Sequence, residues 1–199
     1  MKKFERQYNL FNQYDINCSE NNTLKELNVD KKVIVEWQNR IINHQSKFFK
    51  SGNKYINQSS LFESISEQSS QPFNPLDITP LPLSFWRWPK TIHKGPAVYF
   101  VMDKIINSDE NIILYIGETI SAEKRWKGEH DCKSYLASYS ETLQKANVST
   151  KLNIRFWLDV PSNTKERRKL EQNLIQSWLP PFNKETRGIW ATPFTSQIK

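Results

Sequence analysis

The sequence predicts an α+β fold in which a small sheet is flanked by helices. Two apolar segments, 97–102 and 112–116, are rich in β-branched and aromatic residues, and the turn-forming residues 107–111 separate them, which predicts a β-hairpin. Residues 151–160 alternate apolar and polar side chains, as expected for a third strand. Helical patterns lie between the second and third strands and after the third strand. The predicted order of elements is therefore β, β, α, α, β, α.

The predicted helices are defined by apolar stripes and by their ends. Residues 121–127 and 131–146 are predicted to be helical, the second with a stripe formed by Tyr135, Leu136, Tyr139 and Leu143. A further helix is capped by Ser162 or Thr164 and runs to Leu179. It ends there because two prolines follow, and proline cannot continue the hydrogen-bond ladder of a helix.

Residues 1–90 are predicted to form an N-terminal helical and extended appendage, and residues 91–199 the main domain. In the appendage, Asp30 can cap a helix with apolar or aromatic side chains at helical spacing, namely Val33, Trp37, Ile41, His44 and Phe48. Residues 50–71 are dominated by Ser, Asn and Gln, which predicts a linker. Residues 72–89 are rich in proline and aromatic residues, which favours an extended, polyproline-like strap over a helix.

Composition narrows the class of protein. The 199 residues carry a formal net charge of +7, which favours an anionic partner, with nucleic acid as the first candidate. The two cysteines, Cys18 and Cys132, are too few for a disulfide framework and lack the spacing of a zinc site, which indicates a reducing compartment. No segment has the apolar length of a signal peptide or a membrane span. We therefore expect a soluble, cytoplasmic protein without a membrane partner, whose oligomeric state the sequence leaves open.

Two tyrosines in the predicted hairpin are candidates for the functional site. If the hairpin turns around Asn107, Tyr99 lies directly opposite Tyr115, and both phenols leave the same face of the sheet. A register shift of one residue would send the two side chains to opposite faces. The alternative interpretation is that both tyrosines only pack a half-buried sheet, because tyrosine is a common strand residue.

Glu171 is the candidate carboxylate of the functional site. It shares a helical stripe with Leu174, Ile175 and Trp178, so it lies on or beside the helix face that packs on the sheet. A carboxylate buried there needs a divalent cation, an arginine or a raised pKa, because an unpaired buried charge is unstable. The alternative is that Glu171 lies at a solvated edge of the helix.

Two basic clusters can contact phosphates. One lies in the first turns of the last helix, where the helix dipole disfavours cations, and consists of Lys165, Arg167, Arg168 and Lys169. The other follows the second strand and consists of Lys124, Arg125 and Lys127. For the cluster on the last helix, the alternative interpretation is a solubilising face, which is the commoner origin of such clusters. The permanent charge of Arg125 suits a phosphorane-like transition state, and His130 suits proton transfer near neutral pH.

In order and spacing, these residues resemble the GIY-YIG nuclease superfamily over residues 95 to about 185. The resemblance is carried by Val98-Tyr99, Tyr115-Ile116-Gly117, Lys124-Arg125-Trp126, His130, Glu171 and Pro180-Pro181-Phe182-Asn183. It implies a small domain with a central antiparallel three-stranded sheet between helices. Each tripeptide alone is a weak signal, and the ordered set is a stronger one.

The resemblance also implies an activity, which is metal-dependent hydrolysis of phosphodiester bonds in DNA. The residues it marks as catalytic are Tyr99, Tyr115, Arg125, His130, Glu171 and Asn183. Glu171 would hold Mg²⁺ or Mn²⁺, while a tyrosine, helped by His130, would activate water. Asn183 follows the two prolines, where its side chain can either fix a loop or reach the site.

Three positions depart from the family pattern. Ala97 replaces a glycine, His130 lies five residues after Arg125 where several relatives have four, and Glu118 stands where some members carry lysine. Two other functions therefore stay open. One is a catalytically inactive nucleic-acid-binding protein of the same fold, and the other is a scaffold that binds a protein partner through the strap at 72–89.

Overall fold

The computed structural model describes residues 29–51, 73–87, 93–106, 108–126 and 131–194. Several predictions made from the sequence lie outside these residues. They concern residues 52–71 of the predicted linker, Asn107 in the hairpin turn, Lys127 and His130.

The predicted α+β fold with a three-stranded antiparallel sheet is confirmed. The strands are β1 (Ala97–Ile105), β2 (Glu110–Thr119) and β3 (Leu152–Trp157). β1 lies in the centre and pairs antiparallel with both neighbours, so the order across the sheet is β2, β1, β3. β2 and β3 are therefore the two edge strands.

Four helices surround the sheet. They are α1 (Lys31–Ser51), α2 (Ala122–Arg125), α3 (Asp131–Lys145) and α4 (Thr164–Trp178). The predicted order β, β, α, α, β, α holds from β1 to α4. None of the helices in the described ranges is both long and apolar enough to cross a membrane.

The helix ends follow local sequence signals. The Asp30 carboxylate accepts a hydrogen bond of 3.1 Å from the backbone N–H of Lys32, at the start of α1. At the start of α4 the N-cap is Asn163, one residue between the two predicted caps, and its side-chain oxygen accepts from the N–H of Lys165 at 2.8 Å. Leu179 ends α4 in the left-handed region with a φ of 47°. This turn precedes the two prolines and fits the predicted end of the helix.

A β-bulge in β2 sets the register of the hairpin. Nearest the turn, Met102 pairs with Ile113, whereas Val101 pairs with Tyr115, so Leu114 is the extra residue. Beyond the bulge Tyr99 pairs with Gly117, which shows that the predicted direct pairing of Tyr99 with Tyr115 is wrong by two residues. Because a shift of two residues preserves the face, both tyrosines still leave the same side of the sheet. Without the bulge, Tyr115 would point to the opposite side.

Both faces of the sheet are buried, and α1 contributes to both. On one face, Ile34 and Trp37 of α1 pack in a core with Tyr99 and the apolar side of α3. On the other, Phe48 packs with Trp178 of α4 and with alternate residues of β1. The division of the chain at residue 90 stays a prediction. Among the described residues, the helix expected in the appendage shares the core of the sheet.

Residues 73–87 lie against the outer edge of β3. They contain two short 3-10 turns, Pro75–Asp77 and Phe85–Arg87, instead of the continuous polyproline-like strap that was predicted. Leu81 forms a β-bridge with Ile154 through two backbone hydrogen bonds of 2.8 and 2.9 Å. The buried guanidinium of Arg155 donates to backbone carbonyls of the same segment, those of Pro75, Leu76 and Ile78. These contacts cover the middle of the edge strand.

Replacing the N-cap of α4 tests the local account of this helix. Asn163→Ala should lower the free energy of unfolding by about 1 kcal/mol, since two N–H groups lose their side-chain acceptor. Asn163→Asp should retain the stability of the wild type, because a carboxylate accepts the same bonds and suits the helix dipole. Urea unfolding of the three proteins measures both effects. An alanine variant as stable as the aspartate variant would contradict the capping role.

Candidate active site

The two tyrosines and Arg125 form one cluster at the end of the hairpin. The rings of Tyr99 and Tyr115 are stacked, with centroids 6.0 Å apart and an angle of 25° between the ring planes. Arg125, the last residue of α2, donates from Nε to the Tyr99 hydroxyl at 3.1 Å. Trp126 packs against Tyr99 in an edge-to-face contact. Tyr99 is fully buried, whereas Tyr115 is partly exposed. Tyr115 is therefore the phenol nearer to solvent.

Gly117 makes this stacking possible. A Cβ atom at this position would overlap the hydroxyl end of the Tyr99 ring and would come within 2.9 Å of Tyr115. The backbone of Gly117 does not adopt a positive φ, so the requirement for glycine is one of space and not of conformation. The third residue of the Tyr115-Ile116-Gly117 segment thus lets the two phenols lie close to the strand.

Neither phenol ionises readily. Burial raises the pKa of Tyr99 well above its ordinary value, and the nearby Tyr115 adds to the rise while Arg125 opposes it. Burial also raises the pKa of Tyr115 to about 12, with smaller contributions from Cys132 and Glu171. A side-chain hydrogen bond with Tyr99 opposes this rise in the pKa of Tyr115. The cluster therefore consists of neutral phenols at neutral pH.

Glu171 lies on α4, beside the end of β2. Its Oε1 accepts a hydrogen bond of 3.0 Å from the backbone N–H of Glu118, so the helix and the strand meet at this carboxylate. Burial raises the pKa of Glu171 to about 7, and the negative charges of Glu118 and Glu185 act in the same direction. The Glu118 N–H and Arg125 oppose the rise. Glu171 is thus half-buried, in electrostatic reach of Arg125, and surrounded by excess negative charge.

Glu118 joins the strand to the start of α4. Its carboxylate forms a salt bridge of 2.8 Å with Arg167 and a second one of 3.3 Å with Arg168. Arg167 is fully buried, and its guanidinium also donates to the carbonyls of Pro161 and Ser162. A buried arginine with this many acceptors fixes the position of the groups around it. The pair therefore holds the end of β2 next to the helix that carries Glu171.

Asn183 binds the backbone of β2. Its Oδ1 accepts from the N–H of Ile116 at 2.9 Å, and its Nδ2 donates to the carbonyl of the same residue at 2.8 Å. The side chain is buried. Asn183 thus satisfies both polar groups of one outward-facing peptide position, as a neighbouring strand would do. This is the loop-fixing alternative of the two considered for this residue.

Comparison with known proteins identifies the domain. Residues 96–185 match the family model for the GIY-YIG catalytic domain. This segment is a GIY-YIG domain. No curated protein and no solved structure matches the chain. The resemblance inferred from the sequence is confirmed, and a GIY-YIG domain indicates a function of the nuclease type with a nucleic acid as substrate.

Nucleases with a GIY-YIG domain are generally metal-dependent, and the donor set here fits such an ion. The described residues contain no group of three His, Cys, Asp or Glu side chains that could enclose a metal. Mg²⁺ does not require one, because it is commonly held by one or two carboxylates together with water and substrate phosphate. The half-buried Glu171 lies in the negative field of two further carboxylates, Glu118 and Glu185. A divalent cation would offset the repulsion among these three carboxylates.

The predicted phosphate-contacting residues occupy different environments in the GIY-YIG domain. Lys124, Lys165, Arg168 and Lys169 are exposed. Arg167 is not, because its side chain is buried and bound to Glu118. Its position contradicts the expectation that it contacts a phosphate. Lys127 and His130 lie outside the described residues, so the structure does not place them.

Sequence reasoning missed two features of the site. It noted Glu118 only as a departure from the family pattern, whereas the carboxylate holds Arg167 and its N–H binds Glu171. An acidic side chain at the end of the predicted strand, together with a basic cluster at the start of the last helix, was the available signal for this pair. It also gave no role to Gln45 of α1, which binds β2. A polar residue on the apolar face of α1 was the available signal, since buried polar groups are hydrogen-bonded.

Substitution of Gly117 tests the steric requirement of the tyrosine pair. Gly117→Ala should lower the free energy of unfolding by about 1–3 kcal/mol, because the added methyl group displaces Tyr99 and Tyr115. Gly188→Ala is the matched control, since a Cβ there meets no atom within 4 Å. Thermal unfolding measures both variants. Equal stability of the two alanine variants would contradict the account.

The raised pKa of Glu171 predicts a pH-dependent stability. A carboxyl group with a higher pKa in the folded state stabilises the fold at low pH, and this contribution is lost as the pH rises through about 7. Glu171→Gln removes the ionisation. The free energy of unfolding of the variant, relative to that of the wild type, should therefore increase between pH 4.5 and pH 8. After discounting for solvent screening, we expect a gain on the order of 1 kcal/mol at pH 8. Denaturant unfolding at both pH values provides the measurement, and a constant difference would refute the prediction.

Proposed function

We propose that the protein is a metal-dependent endonuclease that hydrolyses phosphodiester bonds in DNA. One observation carries the proposal. Two stacked phenols, a guanidinium and a half-buried carboxylate of raised pKa meet at the same end of the sheet. These are the groups that orient a nucleophile, neutralise charge on a phosphate and hold a cation. Of the predicted catalytic residues, Tyr99, Tyr115, Arg125 and Glu171 provide these groups, and Asn183 binds the adjoining backbone of β2. His130 lies outside the described residues and stays a prediction.

The proposed roles follow from exposure and charge. Tyr115 is the phenol that contacts the attacking water, because Tyr99 is fully buried behind it. Tyr99 holds Tyr115 in place and is itself held by Arg125. Since the pKa of Tyr115 is about 12, the phenol acts in its neutral form, by orienting the water through a hydrogen bond. The proton is then taken by another acceptor, for which His130 is the candidate.

Arg125 and Glu171 provide the opposite charges of the site. The guanidinium of Arg125 stays charged at any relevant pH and can neutralise the charge that develops on the phosphorane. Glu171 is the proposed ligand for Mg²⁺ or Mn²⁺. When bound, such an ion supplies Lewis acidity toward a phosphate oxygen and the departing oxygen. Asn183 is proposed to act by fixing β2 at Ile116, without touching the substrate.

The proposal of a nucleic acid substrate is supported by the charge of the chain and of the surface around the site. The net charge is +7, and the exposed cations of α4, Lys165, Arg168 and Lys169, lie on the helix that carries Glu171. Contacts of this kind read the phosphate backbone and not the bases, so they suit either nucleic acid. DNA is the substrate that the family resemblance favours. A cytoplasmic location is proposed from the scarcity of cysteine in the chain.

The decisive experiment compares cleavage by the wild type and by Glu171→Ala. Supercoiled plasmid, duplex DNA and structured RNA are incubated with each protein in Mg²⁺, in Mn²⁺ and in EDTA. We expect cleavage of DNA by the wild type with metal, and a loss of about 100-fold or more in the variant, since the proposed metal ligand is gone. Glu166→Ala is the matched control, because Glu166 is exposed on the same helix.

Each outcome decides between the candidate functions. Equal cleavage by wild type and Glu171→Ala would reject the proposed role of this carboxylate. Absence of cleavage by the wild type on every substrate, together with salt-dependent binding of DNA by both proteins, would favour the catalytically inactive binding protein. Cleavage of RNA alone would support the nuclease activity but reject DNA as the substrate.

A further inference from the structure

Gln45 of α1 connects the two elements that carry the candidate active site. Its Nε2 donates to the carbonyl of Ile113 in β2 at 3.0 Å and to the carbonyl of Trp178 in α4 at 2.9 Å. Its Oε1 accepts from the N–H of Ile113 at 2.7 Å. One carboxamide therefore binds the strand that holds Tyr115 and the last residue of the helix that holds Glu171.

We propose that Gln45 is a positioning residue for the active site, in which its carboxamide sets the distance and angle between β2 and α4. Gln45 lies outside the GIY-YIG segment 96–185, so the proposal makes α1 a functional part of the nuclease. The inference rests on the proposed function, and it extends that function to a residue that does not touch the substrate.

The position of Gln45 along both elements supports the role. Ile113 adjoins the bulged residue Leu114, where the direction of β2 changes and Tyr115 is brought to the face of Tyr99. A peptide group held at this point fixes where the bulge lies. Trp178 lies two helical turns after Glu171, on the same stripe of α4. A displacement of Trp178 at the end of α4 therefore also displaces Glu171 on the same helix.

Burial gives these hydrogen bonds their effect. Gln45 has 0% exposure, and the peptide groups that it binds lie between α1, β2 and α4, where the Ile113 and Trp178 side chains are also fully buried. A buried peptide group without a partner is destabilising, so the arrangement that satisfies all three groups is strongly preferred. His44, the preceding residue, contacts the Ser177 carbonyl at 3.0 Å and supports the same end of α4.

Another buried glutamine on α1 supplies a matched control. Gln38 has 2% exposure and donates to the Tyr139 hydroxyl at 2.7 Å, and Tyr139 in turn donates to Asp103. It therefore supports α3 and the far end of β1 and, within the described part of the chain, its side chain does not bond to β2 or α4. Gln38→Met and Gln45→Met each replace a buried carboxamide by an apolar side chain of similar length. Both variants should be less stable than the wild type, but only Gln45→Met should alter the active site.

Amide hydrogen exchange tests the proposal without reference to activity. The Glu118 N–H is bound to Glu171, and the Lys151 N–H is bound to Asp103 at 2.8 Å. In Gln45→Met we expect protection of the Glu118 amide to fall about tenfold or more relative to that of Lys151. In Gln38→Met the Lys151 amide should lose more protection than Glu118. Equal losses at both amides in Gln45→Met, or none at Glu118, would overturn the proposal.

Cleavage kinetics provide the second readout, measured where urea titration shows each variant to be folded. We expect Gln45→Met to lower kcat about tenfold with KM within about twofold of the wild type, because the bound substrate meets misplaced groups. Gln38→Met should keep both constants near the wild-type values. A kcat loss shared by both variants would overturn the proposal. A wild type without activity would reject the proposed function, and the exchange experiment would then decide alone whether Gln45 positions α4 against β2.

Discussion

The outer edge of β2 is the constraint on which the candidate site depends. An edge strand has outward-facing peptide groups that must find partners when other elements cover them. Here four different residues provide those partners without forming a fourth strand, namely Gln45, Glu171, Phe182 and Asn183. They come from α1, from α4 and from the loop after α4. One strand therefore fixes three separate parts of the chain, and the phenols, the guanidinium and the carboxylate meet where this strand ends.

The fold was largely predictable because its signals are local. Strands, helices and their order follow from alternation, apolar stripes and breaking residues within short windows. The hairpin register was not predictable to the residue, since nothing in the sequence of β2 announces that Leu114 is a bulge. The face shared by Tyr99 and Tyr115 was predicted correctly only because the error in pairing was an even number of residues.

The environment of charged and polar side chains was the least predictable part. The four cations at the start of α4 carry the same sequence signal, yet Arg167 is buried while Arg168 is exposed. Both pair with Glu118, which lies about fifty residues away in the chain, but only Arg167 also donates to the carbonyls of Pro161 and Ser162. Gln45 and Asn183 acquire their roles in the same way, through contacts over long sequence separation. Such contacts depend on tertiary structure, which a single sequence does not reveal directly.

The closure of both sheet edges limits how this protein can associate with others. Many proteins recruit a partner, or a second copy of themselves, by adding a strand to an open edge. On β2 the edge positions are filled by side chains, and on β3 the Leu81 bridge and the Arg155 contacts fill the middle of the edge. A foreign strand would have to displace these groups first. Assembly around the described residues therefore depends on helix and loop surfaces, whereas the covered strand edges disfavour cross-β aggregation.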